Sequence, residues 1–207
     1  MSDEVHEKKL AVDSTIREGI TIGIKNIGPI LVNVLLWVLT VWIPYLNVGT
    51  TIGLSVGIVA MASRGEAISM TEIFNPKYRK YMGEFFLVSG LIGIGVSVGI
   101  MLFIIPGIIV GLAWSLAVML VIDKEKNPME AITLSNNLTY GYKWRMVGIY
   151  FIPCVVFTVA QSILMAIGSA IGISGFTGFL VFLTVLFEIF VFIGLQASIY
   201  RQLTEGV

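Results

Sequence analysis

Charge is scarce in this chain. Only 13% of its 207 residues are Asp, Glu, Lys or Arg, against about 25% in a typical soluble domain. A soluble core of this size is excluded on that ground. The few charges also balance, 13 basic against 13 acidic, so no basic surplus draws the chain to nucleic acid. There is one cysteine, Cys154, which excludes an internal disulfide and a zinc site built on Cys. The single histidine, His6, lies in a polar opening stretch. That stretch, 1–10, holds no apolar run of the kind a cleaved signal peptide requires. The first hydrophobic helix is therefore expected to serve as the insertion signal.

Apolar residues are what the chain has in quantity, at 57%. A membrane-crossing helix needs about 20 largely apolar residues. Six such segments can be drawn, at 27–46, 48–62, 85–105, 108–122, 146–167 and 176–200. The second and fourth are only about 15 residues, or ~22 Å of helix. The expected class is therefore all-α: a polytopic membrane protein with about six transmembrane helices in three hairpins.

The basic residues fall between these segments in a strict pattern. Lys8, Lys9, Arg17 and Lys25 precede the first. Arg64, Lys77, Arg79 and Lys80 lie between the second and third. Lys124, Lys126, Lys143 and Arg145 lie between the fourth and fifth, and Arg201 follows the sixth. The three remaining connections, near Tyr45, Pro106 and Ser174, carry no charge. The positive-inside rule then places both ends and the two long loops in the cytoplasm. A hairpin that spans and one that dips and returns leave the same charge signature, so the pair around Pro106 stays open between the two.

A threefold pattern runs through the chain. Thr15 with Glu18, Ser69 with Glu72, and Asn127 with Glu130 each set a capping residue three before a Glu, as in a capping box. Each start is followed by a basic residue and two apolar arms. This predicts a polar tail over 1–12 and one membrane domain over 13–203, with pseudo-repeats at 13–66, 67–124 and 125–203. Each repeat opens on an interfacial amphipathic helix, near 14–25, 69–81 and 127–144. Tyr78, Tyr81, Tyr140, Tyr142 and Trp144 stand beside cations there, the pairing that favours headgroup depth.

Several phrases carry a resemblance: Ser63-Arg64-Gly65-Glu66, Ile73-Phe74, Ile104-Ile105-Pro106-Gly107-Ile108-Ile109, Asp123, Pro128-Met129-Glu130-Ala131-Ile132, Ser135, Leu138-Thr139-Tyr140-Gly141 and Lys143-Trp144. In this order they resemble a broad group of prokaryotic integral membrane proteins related to the membrane domain of some glycerophosphodiester phosphodiesterases. The resemblance covers roughly 25–202 and is specific over 64–144. It implies a six-helix membrane domain. The phosphodiester chemistry of those relatives belongs to a separate soluble domain, so fold is implied and catalysis is not.

Four carboxyl or amide side chains fall inside the apolar segments. Glu188 lies near the middle of the sixth, where a charge costs ~2.5 kcal/mol or more and marks function by default. Its structural alternative is a neutral acid bonded to a neighbouring helix. Gln161, Gln196 and Asn33 read first as interhelical glue and second as companions of Glu188 along a polar path. Pro106 and Gly107 mark a helix break, either a tight turn outside the bilayer or a break within it. The pairs Gly53–Gly57, Gly95–Gly99 and Gly107–Gly111 suit close helix packing. Lys77, Arg79, Lys80, Lys143 and Arg145 are candidates for anionic lipid headgroups. No nucleophile–base pair, metal cluster or phosphate loop is seen in the sequence, and no cofactor is expected. The expectation is a non-catalytic scaffold, accessory subunit or lipid-interacting protein. Its partners would be membrane lipids, other membrane proteins or further copies of itself. A small transporter or channel with a polar path at Glu188 is the alternative.

Overall fold

The computed structural model describes residues 10–206. Residues 1–9 of the expected tail, including His6, Lys8 and Lys9, lie outside the described residues. All regular structure among those described is helical, and the fold is all-α and polytopic. The helices are α1 (Val12–Lys25), α2 (Ile27–Thr40), α3 (Leu46–Arg64), α4 (Lys77–Lys80) and α5 (Met82–Leu102), then α6 (Ile104–Ala113), α7 (Ala117–Asp123), α8 (Pro128–Thr139), α9 (Lys143–Ile171) and α10 (Ser174–Thr204). Five stretches are long and apolar enough to cross a membrane: α3, α5, the broken α6–α7 stretch, α9 and α10. A sixth arises if α1 and α2, bent by 74° between them, form one span.

The three expected helix starts fare differently, because neighbouring elements compete for their side chains. Asn127 caps α8, its Oδ1 accepting from the Met129 N–H at 3.1 Å, with Pro128 at the first helical position. Glu130 turns instead to Lys126 at 2.9 Å. In the first repeat the helix begins three residues before Thr15. Thr15 faces Gln202 on α10, and Glu18 is taken by Ser198, Gln202 and Arg201. The second expected helix, 69–81, does not form as one piece. A short 3-10 turn at Glu72–Phe74 and the single-turn α4 stand in its place. The cause is Asn33 of α2, fully buried. Its amide donates to the Ser69 carbonyl at 2.8 Å and accepts from the Ile73 N–H at 3.0 Å, holding the loop out of a helical path.

The break expected at Pro106 and Gly107 sits slightly earlier in the chain. Phe103 alone is extended (φ −163°, ψ 153°), and Pro106 falls in the first turn of α6. There a missing N–H leaves no helical bond unmade. Gly107 packs against α5, with a Cβ added at Gly99 coming within 2.7 Å of the Gly107 Cα. A second interruption, which the apolar pattern conceals, separates α6 from α7 at Trp114–Leu116.

The molecule has two unlike ends. At the charged end, α1, the second half of α3, α7, α8, the start of α9 and the last half of α10 pack into one core. Its largest fully buried side chains include Ile58, Leu116, Leu120, Met146, Ile149, Leu195 and Tyr200. Glycines bring α1 and α10 into backbone contact. A Cβ built on Gly19 would lie 2.8 Å from the Leu195 Cα, and one on Gly194 would collide with the Gly19 carbonyl. At the uncharged end the hairpin tips expose large apolar side chains, among them Trp42, Met101, Phe103 and Phe176. Lipid tails are as apolar as these side chains, so exposure there costs nothing comparable to exposure in water.

Candidate functional site

The polar groups of the chain gather in three places. The first is a clamp at the charged end, centred on Arg64, the last residue of α3. Its Nη1 meets Asp123 Oδ1 at 2.6 Å, and its Nε meets Glu66 Oε1 at 2.7 Å. Asp123 ends α7, and its other oxygen accepts from the Tyr200 hydroxyl of α10 at 2.8 Å. One carboxylate thus ties the ends of three arms. A second knot closes the ring: Glu18 of α1 accepts from Ser198 at 2.9 Å and Gln202 at 2.8 Å, and pairs with Arg201. Beside Arg64 lies a cleft of ≈ 370 Å³ between α3, α4 and α7.

Tyr78 stands on one wall of that cleft, almost fully buried. Its ring lies against Gly53 and Gly57, the two ends of a π-turn in α3. Its hydroxyl donates to Glu72 at 2.8 Å, and Glu72 also receives Lys77 at 3.1 Å. Burial, then the Glu72 carboxylate, push the Tyr78 phenol above the ordinary tyrosine range. Tyr81 donates to Glu125 and is raised to about 12, chiefly by that hydrogen bond. Both phenols therefore stay protonated donors at neutral pH. Glu66 is held below its ordinary value, first by its hydrogen bond from Arg64.

The second place lies within the apolar arms. Glu188 and Gln161 meet across α9 and α10, with Gln161 Nε2 donating to Glu188 Oε2 at 3.2 Å. Gln196, two turns along, accepts from the Tyr150 hydroxyl and reaches Met119 Sδ at 3.6 Å. Asn33 is engaged elsewhere, with the 69–73 loop. The four polar residues are thus brought together only as the pair Glu188–Gln161. Each of the other two joins elements on its own.

The third is a cleft of ≈ 280 Å³ between α6 and the start of α9, lined by Ile105, Ile108, Ile109, Leu112, Lys143 and Trp144, among others. The five candidate headgroup cations divide around these sites. Lys77 is paired with Glu72 and lies 4.9 Å from the Tyr78 ring centre. Arg79 lays its stem against Gly49. Lys80 sits over Tyr81 at 5.5 Å. Arg145 reaches the Leu10 carbonyl at 3.5 Å. Lys143 donates to Asn136 Oδ1 at 3.3 Å and lies over Tyr140 at 5.6 Å.

Sequence reasoning gave no role of their own to Arg64 and Asp123, or to Tyr200, Ser135 and Thr139. A signal for the first two existed: each is a single charge ending an apolar arm, and the two have opposite sign. Ser135 and Thr139 serve the break between α6 and α7. The Ala113 carbonyl, freed there, accepts from Ser135 at 2.7 Å and Thr139 at 3.3 Å, and Ser135 Oγ accepts from the Leu116 N–H at 3.2 Å. Set against protein-family models, curated proteins and solved structures, the chain matches none.

Proposed function

We propose that the protein is a non-catalytic component of a prokaryotic cytoplasmic membrane, working through helix and lipid contacts as a scaffold, accessory subunit or lipid-interacting protein. The observation that carries this reading is the use made of the charges. Arg64, Asp123, Glu66, Glu18, Arg201, Glu72 and Lys77 are engaged with one another or with neighbouring hydroxyls and amides. Each of these pairs joins one helix or loop to another, as a structural ion-pair network does. The kinship suggested by the phrases over 64–144 supports the same reading, since it implies the membrane domain without the phosphodiesterase.

Purification of the full chain from its native membrane in mild detergent tests this. A membrane protein or lipid should be retained at fixed stoichiometry, and reconstituted vesicles should leak protons and sodium no faster than empty ones. Flux that exceeds the empty-vesicle rate and disappears in Glu188→Gln overturns the proposal. The second reading, a transporter, draws on the Glu188–Gln161 pair, an acid held inside apolar arms. That flux result would establish it.

Both ends of the chain and the charged loops belong on the cytoplasmic side in this reading, following the distribution of Lys and Arg. With Cys154 replaced by Ser, Ser69→Cys should be shielded from an impermeant thiol reagent in intact cells. Labelling from outside reverses the orientation.

A further inference from the structure

We propose that the cleft between α6 and the start of α9 holds one anionic phospholipid, with an acyl chain on Ile105, Ile108 and Ile109 and the phosphate against Lys143. The inference rests on the lipid-contact reading above and names its site. Three observations carry it. The floor is apolar and open: Ile105, Ile108 and Ile109 all count among the exposed large hydrophobic side chains. The rim is aromatic, with Tyr140 and Trp144 each 75% exposed, the residue types that settle at headgroup depth. The cation at that rim has no carboxylate among its described partners. Lys77, Lys126, Arg64 and Arg201 each have a carboxylate partner. Lys143 is described only with two neutral groups, the Asn136 amide oxygen and the Tyr140 ring. A phosphate oxygen supplies the charge that neither provides.

The cleft is also built in advance of any ligand. The Ser135 and Thr139 hydroxyls fix the end of α6 through the Ala113 carbonyl. Gly141, with φ at +82°, turns the chain sharply from α8 into α9. That conformation favours glycine, and it places Tyr140 and Lys143 on the same side of the turn, both lining the cleft. A preformed apolar trough with one cation at its end matches the shape of a phospholipid: a chain, then a phosphate.

Native mass spectrometry of the purified full chain, titrated with phosphatidylglycerol or phosphatidylcholine, decides the matter. The parent should bind one phosphatidylglycerol in preference to phosphatidylcholine. Lys143→Ala should lower that preference about fivefold, the worth of roughly one cation at an anionic surface. Lys143→Arg should keep it, and Ile109→Trp, which fills the floor, should weaken both lipids. Lys126→Ala, whose ammonium pairs with Glu130 away from the cleft, should change nothing. If the parent's preference survives both Lys143→Ala and Ile109→Trp, the cleft is not the site, although the lipid-contact reading stands. If the parent retains no lipid, both fall. Ile109 is exposed and Lys143 half-buried, and circular dichroism of each variant guards against loss of fold.

Discussion

The two ends of α10 are packed in different ways. Its last half lies against α1 with backbones touching at Gly19, Gly23 and Gly194. It also carries Ser198, Tyr200, Arg201 and Gln202 into the polar knots. Its first half runs beside α9, with Phe176, Phe179 and Phe182 exposed. A close approach there is made by Gly168 against Thr177. The same helix is thus packed as in a soluble core at one end and left to lipid at the other. Burial of apolar area drives association only where the alternative is water. In a bilayer, small residues and polar pairs do that work. Specificity is therefore concentrated at the charged end.

The comparison breaks most sharply at the glycines. Gly194→Leu should drive a side chain into the α1 backbone, costing ~3 kcal/mol or more, since overpacking without room to shift is severe. Gly178→Leu, in open space on the same helix, should stay within about 0.5 kcal/mol of the parent. Thermal unfolding in detergent followed by circular dichroism measures both. Equal losses would mean that the two halves are packed alike.

A smaller effect is expected at the clamp. Arg64→Leu leaves Asp123, whose side chain is only 11% exposed, with Tyr200 as its remaining described partner. Roughly 1–2 kcal/mol should be lost, because the Arg64 side is itself 44% exposed and screened by water. Combining it with Asp123→Asn should cost less than the sum of the two single changes. Additive losses in that double-mutant cycle would show that the pair is not coupled.

The smallest effect belongs to the pair inside the apolar arms. Glu188→Gln should be neutral within measurement, and Glu188→Leu should cost about 0.6 kcal/mol, the usual worth of an interhelical hydrogen bond in a membrane. Unfolding in detergent again reads the difference. A loss several times larger would move structural specificity from the charged end into the hairpin.

The apolar arms and the charge alternation were legible in the sequence because each rests on a one-dimensional pattern. Five of the six segments drawn from hydropathy match α3, α5, the α6–α7 stretch, α9 and α10, while the first, 27–46, is helical as α2 only over Ile27–Thr40 and reaches span length only together with α1. The Asn127 cap was legible for the same reason, since its signal lies within three residues. Partners distant in sequence were not legible. Thr15 and Glu18 looked like a capping box until α10 was seen to take both side chains. Ser69 and Glu72 looked like another until Asn33 was found holding the loop. The break at Trp114–Leu116 left no trace, because all its residues but Ser115 are apolar and the hydroxyls that satisfy it come from α8. Of the candidate sites, Glu188 and Gln161 were seen singly and their pairing was not, since register between antiparallel helices depends on the turn that joins them.

The contact between α1 and α10 also bears on how the chain is made. Thr15 and Gln202 are 187 residues apart. At ~5–20 residues per second of synthesis, about 10–40 s separate the emergence of α1 from that of its partner. Throughout that interval the glycine face of α1 has no helix to receive it, while the hairpins between are already entering the bilayer. The first described helix is therefore among the last to reach its final place.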